Sequence, residues 1–324
     1  MHGLTGIHSR ILFLFTLFIA LGFSALETKS LAQENTSPPE TGRMQLDARD
    51  LHARAERGDP ESAYLLGRAY MMGAGIPQDY SLAAKWLKQS AAQGFAASEF
   101  ALGYLSEHGE GVPRDYRRAI AYYEAAARQG HATAANNLAS LYEHGQGVRK
   151  NIDEAERWYR AAAEKDNLPA QCNLASLYFR RRDYSHARDW FETAAKRGER
   201  TAQEDLAWMY YTGTGVSRDY AQAAKWVRLA ADGGDREAWL DLAYLYEQGK
   251  GVPLDYISAY EWYKAAWDGG EKRAGSRLKA LTKIMTGEQV AKATAAAAEL
   301  AKSHARSSHY ETTPPIGGSL IDSR

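Results

Sequence analysis

Two Glu-His-Gly steps, Glu107-His108-Gly109 and Glu143-His144-Gly145, combine carboxylates with imidazoles. Four such ligand types can hold zinc when their donor atoms converge within about 2.0–2.2 Å of one ion. Yet a residue just before a helix-ending glycine is usually solvated, and a histidine there complements the C-terminal helix dipole. The pairs therefore read as structural repetition, and no metal or cofactor is assigned. Cys172 is the one cysteine, so no intrachain disulfide can form and packing must supply stability. It is expected to be a small buried apolar residue rather than a reactive thiol. There is no Gly-rich phosphate loop and no nucleophile elbow.

The elements that would position such groups are set by a 36-residue frame. It is marked by Gly73, Gly109, Gly145, Gly213 and Gly249, around which the same apolar and turn residues return. Six units end at Gly94, Gly130, Asp166, Gly198, Gly234 and Gly270, and only the fourth is shorter, by four residues. Within the second unit, Ala97-Ser-Glu-Phe-Ala-Leu-Gly103 has the three- and four-residue apolar spacing of an amphipathic helix. Gly109 stops that helix in the left-handed conformation, Gly111 permits a further turn, and Val112-Pro113 holds the chain extended. Asp115 then caps a second helix, Tyr116 to Gln129, with Asp79, Asn151, Asp183, Asp219 and Asp255 at the matching positions. Each unit is a helix hairpin. The second helices carry Trp86, Tyr122, Trp158, Trp190, Trp226 and Trp262 at one equivalent position beside paired alanines, which predicts an inter-repeat core.

Outside the repeats, Ile11 to Phe23 is an apolar run of 13 residues that follows Arg10 and precedes Ser30-Leu31-Ala32. It is shorter than the roughly 20 residues that span a bilayer, so residues 1–32 read as a cleavable signal peptide and the mature chain as exported, periplasmic or secreted. No cysteine near that site could carry a lipid. Residues 33–43 read as a disordered linker, 44–58 as an N-terminal capping helix, 59–270 as the repeats, 271–302 as C-terminal capping helices, and 303–324 as a disordered tail. The chain carries 40 acidic and 40 basic residues and no basic run longer than Arg180-Arg181-Arg182, which disfavours nucleic acid. No stable membrane insertion is expected after signal cleavage.

The pattern Ala-x3-Leu-Gly/Ala-x2-Tyr, Gly-x-Gly-Val-x2-Asp, Ala-x2-Trp-Tyr-x2-Ala-Ala closely resembles the Sel-one-like repeat (SLR) family of tetratricopeptide-type solenoids. It is clearest from Ala238 to Ala266, through Leu242, Tyr246, Gly249, Gly251, Val252, Asp255, Trp262 and Tyr263. The fourth unit departs from it, since Tyr178-Phe-Arg-Arg-Arg-Asp183 lacks the Gly-x-Gly-Val loop. The resemblance implies an all-α, right-handed superhelical solenoid of six helix-hairpin repeats with capping helices, and a bacterial, non-enzymatic scaffold or adaptor. Its concave groove would bind a peptide or protein partner. Carried over repeat by repeat, the groove positions are Tyr64 and Arg68, Phe100 and Tyr104, Asn136 and Ser140, Cys172 and Ser176, Glu204 and Trp208, and Leu240 and Tyr244. Some cysteine-rich members have been described as β-lactamase-like, which leaves a cell-wall amide hydrolase as one alternative. This chain lacks their paired cysteines and has only Ser276-x2-Lys279, without Ser-Asp-Asn or Lys-Thr-Gly. A structural module that uses another surface is the other alternative.

Overall fold

Helices begin and end where the repeat's punctuation requires. The computed structural model describes residues 50–304, and every regular element among them is α-helical. The signal segment 1–32, the linker 33–43, the first part of the expected cap (44–49) and the tail beyond residue 304 lie outside the described residues. After helical residues 50–56 come six hairpins, each formed by an A helix and a B helix. They are α1 (Pro60–Met72) with α2 (Tyr80–Ala91), α3 (Ala96–His108) with α4 (Tyr116–Arg128), α5 (Ala132–His144) with α6 (Ile152–Ala163), α7 (Leu168–Arg180) with α8 (Tyr184–Lys196), α9 (Arg200–Thr212) with α10 (Tyr220–Asp232), and α11 (Arg236–Gln248) with α12 (Tyr256–Asp268). Two closing helices follow, α13 (Ala274–Leu281) and α14 (Gly287–His304), the latter running two residues past the expected end of the cap. The chain divides within α5 into two compact units, 1–134 and 135–324.

The caps do what their side chains predict. Asp79, Asp115, Asn151, Asp183, Asp219 and Asp255 each accept a backbone N–H from the first turn of their B helix. Gly73, Gly109, Gly213 and Gly249 close their A helices in the left-handed conformation. The second glycine of the Gly-x-Gly has a different task at Gly111, Gly215 and Gly251. A Cβ on Gly111 would stand 2.2 Å from the Tyr80 carbonyl, and one on Gly251 would stand 1.9 Å from that of Tyr220. This glycine lets the A–B loop of one repeat rest on the B-helix N-terminus of the preceding one, an inter-repeat contact that no side chain would fit.

Within each hairpin the expected aromatic is less buried than its successor. Trp86, Trp226 and Trp262 are buried, whereas Tyr122, Trp158 and Trp190 are only half-buried. Leu87, Tyr123, Tyr159, Phe191, Val227 and Tyr263, one residue on, are all buried to within 2 %. These plugs face the A helix, where their partners switch with them. Tyr123 donates to Glu107 at 2.7 Å, Tyr159 to Glu143 at 2.9 Å and Tyr263 to Glu247 at 2.8 Å. In the other repeats the same two positions hold Met71 with Leu87, Phe179 with Phe191 and Tyr211 with Val227. A carboxylate occurs only where a phenol satisfies it, as the cost of an unpaired buried charge requires.

In the second unit, successive repeats are also joined by a polar link. Gln171 donates to the Ala163 carbonyl (3.2 Å), Gln203 to Ala195 (3.0 Å) and Trp239 to Ala231 (2.8 Å). Each adds a second donor to a last-turn carbonyl of the preceding B helix that already accepts a backbone N–H from the turn. The shortened fourth repeat, without Gly-x-Gly, makes its contact through charge. Arg181 reaches Glu156 (2.6 Å) and Asp153 (3.3 Å) on α6, and Glu156 also accepts from Tyr178 at 3.0 Å.

Candidate functional site

The A helices carry the expected groove positions one turn apart on a single helix face. In the first unit, Tyr64 is half-buried against the Phe95 ring, 5.2 Å away, with the Arg68 guanidinium 5.6 Å above its own ring. Phe100 is 6 % exposed and stacked on His131 at 4.6 Å, so it belongs to the packing between repeats. Tyr104 is half-buried and stacked on His108 at 4.1 Å. Burial, reinforced by nearby Glu110, Tyr80 and Glu107, pushes its phenol up to about 12, so it stays a neutral donor.

In the second unit, Asn136 accepts from Asn173 at 2.9 Å and donates to Asn137 at 3.3 Å, which gives an amide row along the A helices. Ser140, Cys172 and Ser176 are half-buried. Burial pushes the Cys172 thiol well up, with Glu199 and Asp205 adding to the effect, so it remains a thiol. Glu204 and Trp208 follow, both half-buried, with the indole 5.8 Å from the Phe179 ring and edge-on to it. Leu240 and Tyr244 depart from the expected surface. They are 0 % and 1 % exposed, and Tyr244 is enclosed by Tyr211, Lys250 and Arg277. At this last repeat the A-helix face is core, so the two residues cannot present side chains to a ligand. What remains for recognition is Tyr64, Arg68 and Tyr104 in one unit and Asn136, Ser140, Ser176, Glu204 and Trp208 in the other.

The residues with potential for chemistry are each engaged within their own unit. Glu107 turns inward to Tyr123, and Glu143 turns to Tyr159 and Arg180. His108 and His144 turn Nδ1 back onto carbonyls of their own helices, those of Tyr104 (2.9 Å) and Ser140 (2.8 Å). Among the described residues no group of three or more His, Cys, Asp or Glu is arranged to hold a metal ion. Burial raises the Glu107 carboxyl, and the Tyr123 hydrogen bond and His108 only partly offset it. Ser276 and Lys279 are both exposed, and the Ser276 hydroxyl points to the Arg273 carbonyl at 3.4 Å.

A second row was missed by the sequence reading. One residue beyond the first groove position lie Asn137, Asn173, Asp205 and Asp241, of which Asn137, Asp205 and Asp241 are buried to 6 %, 3 % and 6 % exposure. The signal was present as four successive polar residues at one repeat position, where the first two repeats carry Leu65 and Ala101. Lys250 was also missed. Its ammonium is 4.9 Å from the Tyr211 ring centre, 5.4 Å from that of Tyr220 and 5.6 Å from that of Tyr244, with the Tyr211 hydroxyl at 2.7 Å. No local pattern announces this cage, because three helices supply it.

Comparison with known proteins follows the same frame. The Sel1 repeat model matches residues 60–95, 96–131, 132–167, 168–199, 201–235 and 237–270. Among solved structures, the chain is similar to c5321, a protective antigen of uropathogenic Escherichia coli strains that displays an SLR fold, with 31 % identity and a TM-score of 0.68. That match covers 84 % of this chain but only 60 % of the antigen, so this chain spans less than two thirds of its length. It is also similar to a Sel1 repeat protein from Oxalobacter formigenes, at 27 % identity and a TM-score of 0.57, over 71 % of this chain and 98 % of that one. No curated protein matches the chain by sequence.

Proposed function

The chain belongs to the Sel1 repeat family, whose repeats serve protein–protein interaction, and from this we propose that it is an exported, non-enzymatic adaptor. The A-helix face of each unit would bind an extended segment of a protein partner. The observation that carries the reading is the half-exposed set of aromatic, amide and hydroxyl side chains at equivalent A-helix positions, Tyr64, Tyr104, Asn136, Ser140, Ser176 and Trp208. Amides and hydroxyls can bond a peptide backbone while the rings take its side chains, and a preformed surface lowers the ordering cost of binding. Export rests on the short apolar run of residues 11–23. No described helix is long and apolar enough to cross a membrane.

The test is affinity capture from the native host's envelope fraction with residues 33–324, alongside a Tyr104→Ala, Trp208→Ala variant. A specific partner lost with the variant supports recognition on this face. A partner held equally by both proteins would move the binding site elsewhere. The hydrolase alternative predicts turnover of a chromogenic β-lactam that disappears in Ser276→Ala; the adaptor reading predicts none.

A further inference from the structure

Negative charge is concentrated at one end of the second unit's A-helix face. Glu204 stands one helical turn from Trp208 on α9, beside Asp205, and Asp235, Glu237 and Asp241 approach from α11 and its cap. Asp235 spends one oxygen on capping α11, through the backbone N–H groups of Glu237 and Ala238, and Glu237 pairs with Arg273 at 3.0 Å. Glu204 is set apart from these. Its Oε1 is sealed from solvent with no hydrogen-bond donor on it. Its side-chain contact is with the Asp235 carboxyl, another acceptor. Burial and then the like charges of Asp235, Asp241 and Glu237 hold its carboxyl well above the ordinary range, and no cation stands among the principal influences on it. Beside it the Trp208 ring is half-exposed.

A buried carboxyl facing other carboxyls, next to an open indole, is complementary to one kind of side chain. A cation at the accessible side of the Glu204 carboxyl would replace a shared proton, pair with the carboxylate, and lie against the indole face. The oxygens are not arranged as a metal site, whereas a Lys or Arg brings its own donors and needs no coordination shell. Anionic lipid and nucleic acid would be repelled. We infer that Glu204, Trp208 and Asp241 form the subsite for a basic side chain of the segment bound on this face; the inference rests on the peptide-binding reading above.

The test uses mature protein (residues 33–324) and blocked nine-residue Ser/Ala peptides with a central Arg, Lys, norleucine or Glu, titrated by calorimetry. The Arg and Lys peptides should bind about tenfold tighter than the norleucine peptide, with the Glu peptide weakest. Glu204→Gln should erase the preference for charge. Trp208→Leu, which keeps the carboxyl, should weaken the Arg peptide several-fold. Equal affinities across the four peptides, no Arg-peptide binding at millimolar concentration, or a preference that survives both substitutions would overturn the subsite. A captured partner that binds this face through a segment without Lys or Arg would also overturn it while leaving the adaptor reading intact. A partner indifferent to Tyr104→Ala, Trp208→Ala would instead remove the adaptor face itself.

Discussion

Replacing Tyr123 by Phe removes one hydroxyl from a fully buried ring and leaves Glu107, 8 % exposed, without its 2.7 Å donor. A hydrogen bond to a charged group contributes about 1.5–3 kcal/mol, and a stranded buried carboxylate loses that support without gaining water. Tyr123→Phe should therefore destabilise the α3–α4 hairpin by about 1.5–3 kcal/mol. Glu107→Met should cost about 1–3 kcal/mol, because it strands the phenol instead. Combined, the two substitutions give Met opposite Phe, close to the Met71–Leu87 pair that the first repeat already uses. The double variant should lie within about 1 kcal/mol of wild type, since both polar groups leave together. A stacked array can unravel repeat by repeat, so a single melting temperature would average the effect away. Native-state hydrogen exchange read on peptides from α3 and α4, with α9 and α10 as internal control, resolves it. Exchange in α3 and α4 should rise about 10- to 150-fold in Tyr123→Phe and return near wild type in the double variant. Additive costs in the double variant, or a change below about threefold in the single one, would refute the claim that charge and donor are kept as a pair.

Other outcomes follow from the same physics. Gly251→Ala should cost more than about 3 kcal/mol in urea unfolding, because it adds a clash with the Tyr220 carbonyl to left-handed strain; Gly198→Ala, at φ +87° with open space around it, should cost only about 1–2 kcal/mol. Because the Glu204 carboxyl is raised on folding, the folded chain holds that proton more tightly than the unfolded one. Stability contributed there should fall as pH rises from the ordinary carboxylate range through the raised folded value, and Glu204→Gln should be more stable than wild type near pH 7 and similar near pH 4, measured by urea unfolding at both. Lys250→Met should loosen the joint between the fifth and sixth repeats by about 1–2 kcal/mol, seen as faster exchange in residues 248–256, while a change confined to other repeats would argue against the tyrosine cage.

Local chemistry determined the hairpins. A glycine that must adopt positive φ, an Asp or Asn that caps the next turn and a period of 3.6 in the apolar residues act within a few residues of one another, so the A-helix ends at Gly73, Gly109, Gly145, Gly213 and Gly249 and the capped starts of the B helices were legible without any tertiary contact. The same holds for the family frame, because every repeat solves the same packing problem. What only the folded chain decided was which side chains those helices bury. The plug lies at Tyr123 and its equivalents rather than at the neighbouring tryptophan position, because the line of approach between A and B helices selects the ring by its direction, and hydrophobicity alone cannot rank two adjacent aromatics. Leu240 and Tyr244 are groove positions by the family resemblance but are core, since Tyr211 and Arg277, each 33 positions away, close over Tyr244 together with Lys250 from the following loop. The acidic subsite was likewise invisible as a run of residues. Glu204 and Asp235 are 31 positions apart, and only packing α9 against α11 and its cap forces their carboxyls to share one desolvated space, where their charges must be met by a proton or a cation.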